Sequence, residues 1–436
     1  MAKRHGNEVG NLESLFLRLE ELVLANSGED EFEEAFKLIV AKLWDERCGK
    51  NPRFRVGRDE EGTYAQILAL LREAAKAWPG ILDPIEPALT PEHLQVCVEA
   101  LMRHKLSEAG FEVMDGLFEF LVSKSSKGAK GQYFTPRHVV ELCVRMLRPG
   151  LDEVVLDPAC GSGGFLVHAL NYVREHHGLS SDSGLRRYSS SKLWGFDIDS
   201  KAVRVAKALM VLAGDGSANV VRLNSLLLPE MGGLFSVASS GSNEDASTLT
   251  IEDVSRSRMR RHKGFDVILT NPPFAGEVRE KHVLEEYALS RGRSRIERDV
   301  LFLERCVGLL CPGGRLAIVL PHNKFATGTW AYARRWLVKK ARILAVVGLG
   351  RNTFLPHTHQ KASVLFVQRR SVREEPRAEQ PVFFAISERD GKNSKGQPVV
   401  RSSAGESVWH RVDHDLGEIA SGFDEFCRTE GVQIGA

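Results

Sequence analysis

The segment LTNPPF, Leu269 to Phe274, sets an amide, two prolines and an aromatic ring directly after the apolar run Phe265 to Leu269. Pro272 and Pro273 lack N–H groups and fix their own φ, so a strand cannot continue through them. Each also holds the residue before it extended. The result is a stiff tip carrying Asn271, backbone carbonyls that no neighbouring strand need claim, and the ring of Phe274. Acceptors beside a stacking face suit the grip on a flat molecule with an NH₂ group. The plainer alternative is a strand-ending turn with a core phenylalanine.

A second candidate group is DPACGSGG, Asp157 to Gly164. Gly161, Gly163 and Gly164 let the backbone pass close to a ligand and open a helix whose N-terminal amides favour polar or anionic groups. The spacing is not G-x-G-x-x-G, which argues against a nicotinamide-dependent dehydrogenase. Further on, GFDID offers Asp197, placed to accept hydrogen bonds from ribose hydroxyls, with Asp199 as runner-up. Either could instead cap the following helix. The pattern predicts a nucleoside-containing cofactor without a bound pyrophosphate.

These groups need elements to hold them. The apolar stretches EVVLDP, LWGFDID, VVRLN, FDVILTNPP and RLAIVLP alternate with helical segments such as AVRVAKALMVLAG. That alternation predicts a doubly wound α/β sheet of parallel strands with ligands at their carboxyl ends. ILAVVGL and ASVLFVQ read as a hairpin with a long connection. Before the sheet, Leu12, Leu15, Phe16, Leu19, Leu22 and Val23 recur at helical spacing. Phe32, Ala35, Phe36, Ile39 and Leu43 repeat it, and a further helix runs from Tyr64 to Trp78. The expected division is an N-terminal helical domain over 1–125, a catalytic α/β domain over 126–375 and a small C-terminal extension over 376–436. The catalytic domain is interrupted by a flexible insertion at 231–263, low in hydrophobics.

The chain has 436 residues, 43% hydrophobic and 27% charged, the profile of an ordinary soluble globular protein. A formal charge of +2 cannot draw nucleic acid through the whole-molecule field, so positive charge must be local or come from a partner. Two local runs bracket the Asn-Pro-Pro-Phe tip, RSRMRRHK (Arg256 to Lys263) and RGRSRIER (Arg291 to Arg298), and are candidates for phosphate contact. There is no apolar signal core and no uninterrupted apolar run of roughly 18 residues, which predicts a cytoplasmic protein without membrane contact. Seven scattered cysteines without a C-x-x-C pair indicate neither a disulfide framework nor a zinc site. His357 and His359 read as a polar turn, and no metal is expected.

Taken together, GQYFTPRHVVELCVRML (Gly131 to Leu147), VLDPACGSGGFL (Val155 to Leu166), GFDID and LTNPPF resemble the modification subunits of type I restriction systems. Those are DNA adenine-N6 methyltransferases of the gamma arrangement. The resemblance covers residues 110 to 390. Asn-Pro-Pro-Phe alone also occurs in RNA and protein-glutamine methyltransferases, whereas four motifs in one order are specific. The resemblance implies a Rossmann-like S-adenosylmethionine-dependent methyltransferase sheet with an N-terminal all-helical domain. Carried onto this chain, it implies that Gln132, Tyr133, Phe134, Thr135 and Pro136 line the methionine end of S-adenosylmethionine. Asp157, Gly161, Ser162 and Gly163 would lie along the cofactor's backbone, and Asp197 would hold the ribose. Asn224 stands where many relatives carry an acid bonded to the cofactor's adenine amine, and an amide oxygen can accept the same bond.

Catalysis would fall to Asn271, Pro272, Pro273 and Phe274. The Asn271 amide oxygen and the Pro272 carbonyl would accept the N6–H bonds of a flipped adenine, with Phe274 stacked on the base. Residues 371–436 leave no room for a target-recognition domain. The resemblance implies a separate specificity subunit that reads double-stranded DNA, with a restriction subunit as a further partner. Competing expectations are another acceptor (cytosine N4, RNA adenine or protein glutamine) and a non-catalytic S-adenosylmethionine-binding subunit of a defence complex. GQYFTP before the Gly-rich strand speaks against RNA and glutamine; intact Asn271 and Phe274 speak against the non-catalytic role.

Overall fold

The computed structural model describes residues 27–48, 51–107, 114, 117–118, 134–179, 181–214, 219–227, 264–371, 374, 379–401 and 412–435. Gln132, Tyr133, the 231–263 insertion with Arg256 to Lys263, and the helix expected over Leu12 to Val23 lie outside them. The chain divides into two compact units. One comprises Met1–Ala129, Arg204–Ser217 and Ser402–Arg411; the other comprises Lys130–Val203, Ala218–Arg401 and Val412–Ala436.

The first unit holds α1 (Glu31–Cys48), α2 (Glu60–Ala77) and α3 (Pro91–Leu101). Asp59 caps α2 by accepting from the Gly62 N–H at 2.7 Å, and Thr90 caps α3 just ahead of Pro91. Helix α1 buries Phe32, Phe36, Ile39 and Leu43, and also Glu34, Lys37, Lys42 and Asp45. The charges are matched. Lys37 Nζ donates to Glu34 Oε1 and to the Glu86 carbonyl, both at 2.7 Å, while Asp45 Oδ2 accepts from the Arg53 and Phe54 N–H groups at 2.8 and 2.7 Å. Arg204 donates to the Ile81 carbonyl at 2.8 Å and pairs with Glu33 at 2.7 Å. Those bonds tie the stretch after residue 203 to the helical unit.

The second unit is built on an eight-stranded sheet. In chain order its strands are β1 (Val155–Asp157), β2 (Leu193–Asp197), β3 (Asn219–Arg222), β4 (Phe265–Thr270), β7 (Leu310–Pro321), β8 (Ala341–Gly348), β9 (Ala362–Arg369) and β10 (Phe383–Ile386). In space the order is β10-β8-β9-β7-β4-β1-β2-β3. Between β4 and β7 a separate antiparallel pair forms, β5 (Glu277–Val278) with β6 (Ile296–Glu297). All main-sheet pairs are parallel except those of β9, which runs against β7 and β8. The central strands read as continuous apolar runs because both their faces are covered. Val154, Leu156, Phe196, Ile268, Leu316 and Ile318 lie in one buried cluster. Leu156 sits opposite Trp194 on one side and Ile268 on the other, so β1, β2 and β4 end side by side. The chain leaves β1 toward β2 and later returns to β4 on its other side. Such a switch point opens a crevice at the carboxyl ends.

Among the described residues, six helices of two turns or more pack on this sheet or on one another: α4 (Arg137–Leu147), α5 (Gly164–His176), α6 (Asp182–Lys192), α8 (Arg298–Leu309), α9 (Ala331–Lys340) and α10 (Leu416–Thr429); α7 (Ser200–Leu212) follows β2 and belongs from Arg204 onward to the first unit. The carboxyl end of α4 is held by the buried Arg315 of β7. Its guanidinium donates to the Leu147 carbonyl at 2.9 Å and pairs with Glu153 at 2.7 Å. The expected hairpin is present as β8 and β9, joined through residues 349–361. After residue 375, β10 pairs parallel with β8, and α10 packs on α4, where Arg148 meets Asp424 and the His138 ring stacks on His414 at 5.0 Å.

Candidate active site

The Gly-rich turn after β1 is bolted to the end of β2. The Cys160 N–H donates to the Phe196 carbonyl and the Gly161 N–H to Asp197 Oδ2, each at 2.9 Å. Gly161 adopts φ +50° and Gly163, which opens α5, adopts φ +88°, conformations that favour glycine. Beneath the turn, a Cβ on Gly195 would stand 2.7 Å from Leu166 Cδ1 and 3.1 Å from Cys160 Sγ, so β2 can approach this closely only without a side chain. Above it the situation is opposite. A Cβ on Gly161 or Gly164 would meet nothing within 4 Å. Ser162, between them, is buried.

The two acids after β2 divide the roles left open by the sequence. Asp199 Oδ1 accepts from the Lys201 and Ala202 N–H groups at 2.8 and 3.3 Å, at the start of α7. Asp197 instead binds the Gly-rich turn, and its Oδ1 takes the Asp199 N–H at 2.9 Å, leaving each oxygen a further lone pair. Burial raises the Asp197 carboxyl above its ordinary value and pushes Asp157 up to about 7. Asp157 Oδ1 accepts from the Ala159 N–H at 3.1 Å. Asn224 follows β3; its Oδ1 accepts from the Leu226 N–H at 3.1 Å, and Ser225 Oγ donates to the Pro158 carbonyl at 2.5 Å, joining this loop to the Gly-rich turn.

At the end of β4, Asn271 Nδ2 donates to Thr135 Oγ1 at 2.9 Å. Its Oδ1 is buried and meets no donor among the described residues. An acceptor buried in this way costs about 1–3 kcal/mol, and it calls for an explanation such as a ligand donor. Pro272 is buried beside it, Pro273 less so, and Phe274 is 8% exposed. The Phe274 ring meets Phe354 edge to face, with centroids 5.7 Å apart and planes at 73°. Phe354 was not foreseen; its one sequence signal is an aromatic in the polar connection RNTFLPHTH between β8 and β9. Phe134, Thr135 and Pro136 lead directly into α4.

The strand-end residues therefore form two linked sets. Asp157, Gly161, Asp197 and Asn224 share the turns after β1, β2 and β3, and Thr135 joins Asn271 after β4. Beyond Phe274 the chain runs through β5 and β6, and the connection between them exposes Arg279, Arg291, Arg293 and Arg295. Val278, Tyr287, Leu289 and Ile296 anchor this excursion in a second apolar cluster with Leu301 and Trp330. Arg293 lies over the Tyr332 ring at 3.8 Å, and Glu277 pairs with Arg279 and Arg295 at 2.9 and 3.4 Å. An apolar cavity of about 240 Å³ lies elsewhere, among Leu303, Leu320, Leu337, Leu365 and Phe384, and contains none of the strand-end residues. No helix among the described residues is long and apolar enough to cross a membrane.

A mixed sheet of this order, with its functional turns gathered at the carboxyl ends of β1, β2 and β4, defines a Rossmann-like methyltransferase fold. The N-6 DNA methylase family model matches residues 110–429, and the chain belongs to that family. Among curated proteins it is similar to the type I restriction enzyme EcoEI methylase subunit of Escherichia coli, with 27% identity over 57% of this chain and 44% of the relative. It is also similar to the StySPI methylase subunit of Salmonella potsdam, with 25% identity over 78% of this chain and 60% of the relative. The chain thus spans less than two thirds of the length of either. Among solved structures, a type I restriction-modification system methyltransferase subunit from Streptococcus thermophilus superposes with a TM-score of 0.60 at 15% identity, over 97% of this chain and 93% of that one. That likeness is one of fold.

Proposed function

We propose that this chain transfers a methyl group from S-adenosylmethionine to adenine N6 in double-stranded DNA, as the modification subunit of a restriction-modification system. The observation that carries this is the buried Oδ1 of Asn271, which meets no donor among the described residues, three residues before the buried Phe274 ring. A hydrogen-bond donor on a flat ring satisfies both.

The open space over Gly161 and the accepting carboxylate of Asp197 fit a nucleoside cofactor. When bound, S-adenosylmethionine supplies an electrophilic methyl group on a sulfonium sulfur. Gln132, Tyr133, Phe134, Thr135 and Pro136 would face its methionine end and Asp157, Gly161, Ser162 and Gly163 its backbone. Asp197 would take the ribose hydroxyls, and Asn224 would take the adenine amine through the remaining lone pair of Oδ1. Adenine N6 is a poor nucleophile because its lone pair is delocalised into the ring. Asn271 Oδ1 and the Pro272 carbonyl accept its two N–H bonds and localise that pair, while Phe274 stacks on the base and Phe354 steadies Phe274. Pro273 keeps the tip stiff. In-line placement contributes prepaid entropy. The proton leaves after transfer has made N6 acidic, so no general base is required. Flipping the base costs a few kcal/mol, which stacking and hydrogen bonding offset.

Curated relatives are methylase subunits of multisubunit enzymes, which supports a separate specificity subunit and a restriction subunit as partners. The exposed arginines between β5 and β6 would meet DNA phosphates. We further propose that the helical domain ends near residue 125 and that the protein works in the cytoplasm, where its DNA lies. The test is transfer of labelled methyl to unmethylated genomic DNA by the chain alone and with its neighbouring gene product. N6-methyladenine formed with the partner, and lost in Asn271→Ala, is the expected result. Cofactor binding without transfer to any DNA would refute the proposal.

A further inference from the structure

We infer that Asp390 is a positioning residue for methyl transfer: its carboxylate locks the connection between β8 and β9 so that Phe354 holds the Phe274 ring where the target base must stack. The inference rests on the proposed role of Phe274 and goes further, assigning what keeps that ring in place. Asp390 follows β10 and is not one of the residues proposed to meet base or cofactor. It acts through the connection alone.

A Cβ on Gly350 would coincide with the Asp390 carboxyl group, so the glycine leaves a notch that the carboxylate fills. There Asp390 Oδ2 accepts the Asn352 N–H at 3.1 Å. The chain beyond turns tightly on itself. Thr353 Oγ1 donates to the Gly350 carbonyl at 3.0 Å, the Leu355 N–H to the Asn352 carbonyl at 3.0 Å and the Thr358 N–H to the Phe354 carbonyl at 3.1 Å. Fixing Asn352 therefore fixes Phe354, which is buried and meets Phe274 edge to face. Residues 390–396 grip the connection twice more. Lys392 Nζ donates to the Leu355 carbonyl at 2.7 Å, and Gly396 lies so close that a Cβ on it would stand 2.7 Å from the Pro356 nitrogen. The grip has its own anchor at the head of α4. Asp390 and His414 form a single antiparallel bridge, the His414 ring stacks on His138, and a Cβ on Gly391 would stand 3.3 Å from His138 Cε1. A connection built of turns has little internal rigidity, so the placement of Phe354 depends on these outside contacts.

The test compares Asp390→Ala with Asp390→Asn in the full chain with its partner, each at a temperature well below its own melting point. It measures S-adenosylmethionine affinity by calorimetry and the single-turnover rate of N6-methyladenine formation at saturating cofactor and DNA. The alanine variant should lose roughly 10- to 100-fold in rate, the scale for a small misplacement around a reacting group, with cofactor affinity within about twofold of wild type. Asparagine presents an acceptor to the same Asn352 N–H and should restore most of the rate. Stacking is read separately with 2-aminopurine in place of an adenine that the wild-type complex methylates: its fluorescence rises on flipping, and Asp390→Ala should blunt that rise. The deciding comparison repeats Asp390→Ala in a Phe354→Leu background. Because Asp390 acts through Phe354, its cost in rate should nearly vanish there. An equal cost in both backgrounds overturns the inference, as does an unchanged rate in Asp390→Ala or a loss confined to cofactor affinity. If Asp390→Ala melts too early to assay, Lys392→Met, which removes the bond to the Leu355 carbonyl, carries the same comparison. Absence of transfer by the wild-type complex would strike the proposed function itself, whereas wild-type transfer with an indifferent Asp390 strikes this inference alone.

Discussion

Replacing Gly161 with alanine separates the fold from the ligand site. At φ +50° an L-residue carries roughly 1–2 kcal/mol of backbone strain. The new methyl meets nothing within 4 Å, so no packing penalty adds to it. The N–H bond to Asp197 belongs to the backbone and survives. The ligand-free protein should therefore melt only a few degrees lower, at roughly 2–4 °C per kcal/mol for a unit of this size. The same methyl stands where the cofactor's backbone is proposed to pass, and an affinity loss of about 10- to 100-fold corresponds to roughly 1.4–2.8 kcal/mol. Gly195→Ala is the contrasting case. Its Cβ is driven to 2.7 Å from Leu166 and 3.1 Å from Cys160, which should cost about 1–3 kcal/mol by overpacking while adding nothing to the ligand space. Thermal melts without ligand and calorimetry with S-adenosylmethionine measure both effects. If Gly161→Ala binds the cofactor as wild type does, the open space over that turn is not the cofactor's, and the reasoning fails.

Phe354→Ala removes the edge partner of Phe274 and should cost roughly 3–5 kcal/mol of stability along with much of the transfer rate; a melt unchanged from wild type would contradict the packing described. Burial holds the folded Asp157 carboxyl near 7, above its unfolded value, so its contribution to stability is full in acid and is lost as pH rises through about 7. Urea unfolding of the ligand-free protein at pH 5 and pH 8 should show this decline, and Asp157→Asn should flatten it; an identical pH slope in the variant argues against a neutral Asp157. Arg291→Ala and Arg295→Ala should weaken DNA binding by the assembled complex and lower the salt slope by about one for each phosphate contact removed. Binding measured from low to moderate salt checks this, and an unaltered slope places those arginines off the DNA.

The strand ends were legible because each apolar run stops at a residue that cannot extend it: Asp157 before Pro158, Asp197 in GFDID, Asn271 before two prolines. Periodicity carried the phenylalanines of α1 but says nothing of the burial of its polar face. Glu34, Lys37 and Asp45 look like a solvated stripe, yet loops at 53–54 and 86–89 fold over them and supply backbone partners. Thr135 and Phe354 show a different limit. Thr135 meets Asn271 across 136 residues, and Phe354 reaches Phe274 from a connection that follows four further strands. Nothing local marks either contact. The pairing of β10 is equally non-local: its exposed Phe384 and Ile386 lie on a strand that joins β8, with Phe384 opposite Val346.

The packing of α10 on α4 has a consequence for how the protein comes into being. Thr135 stands at the head of α4, among the first residues of its unit to leave the ribosome, while Phe423 of α10, stacked near Phe366 of β9, is among the last. At typical synthesis rates of about 5–20 residues per second, the apolar face of α4 waits on the order of ten seconds or more for its cover. Until then the nascent sheet has its motifs but no finished support for the asparagine tip. Activity should appear only after synthesis has passed α10, and shielding by chaperones matters most in that interval.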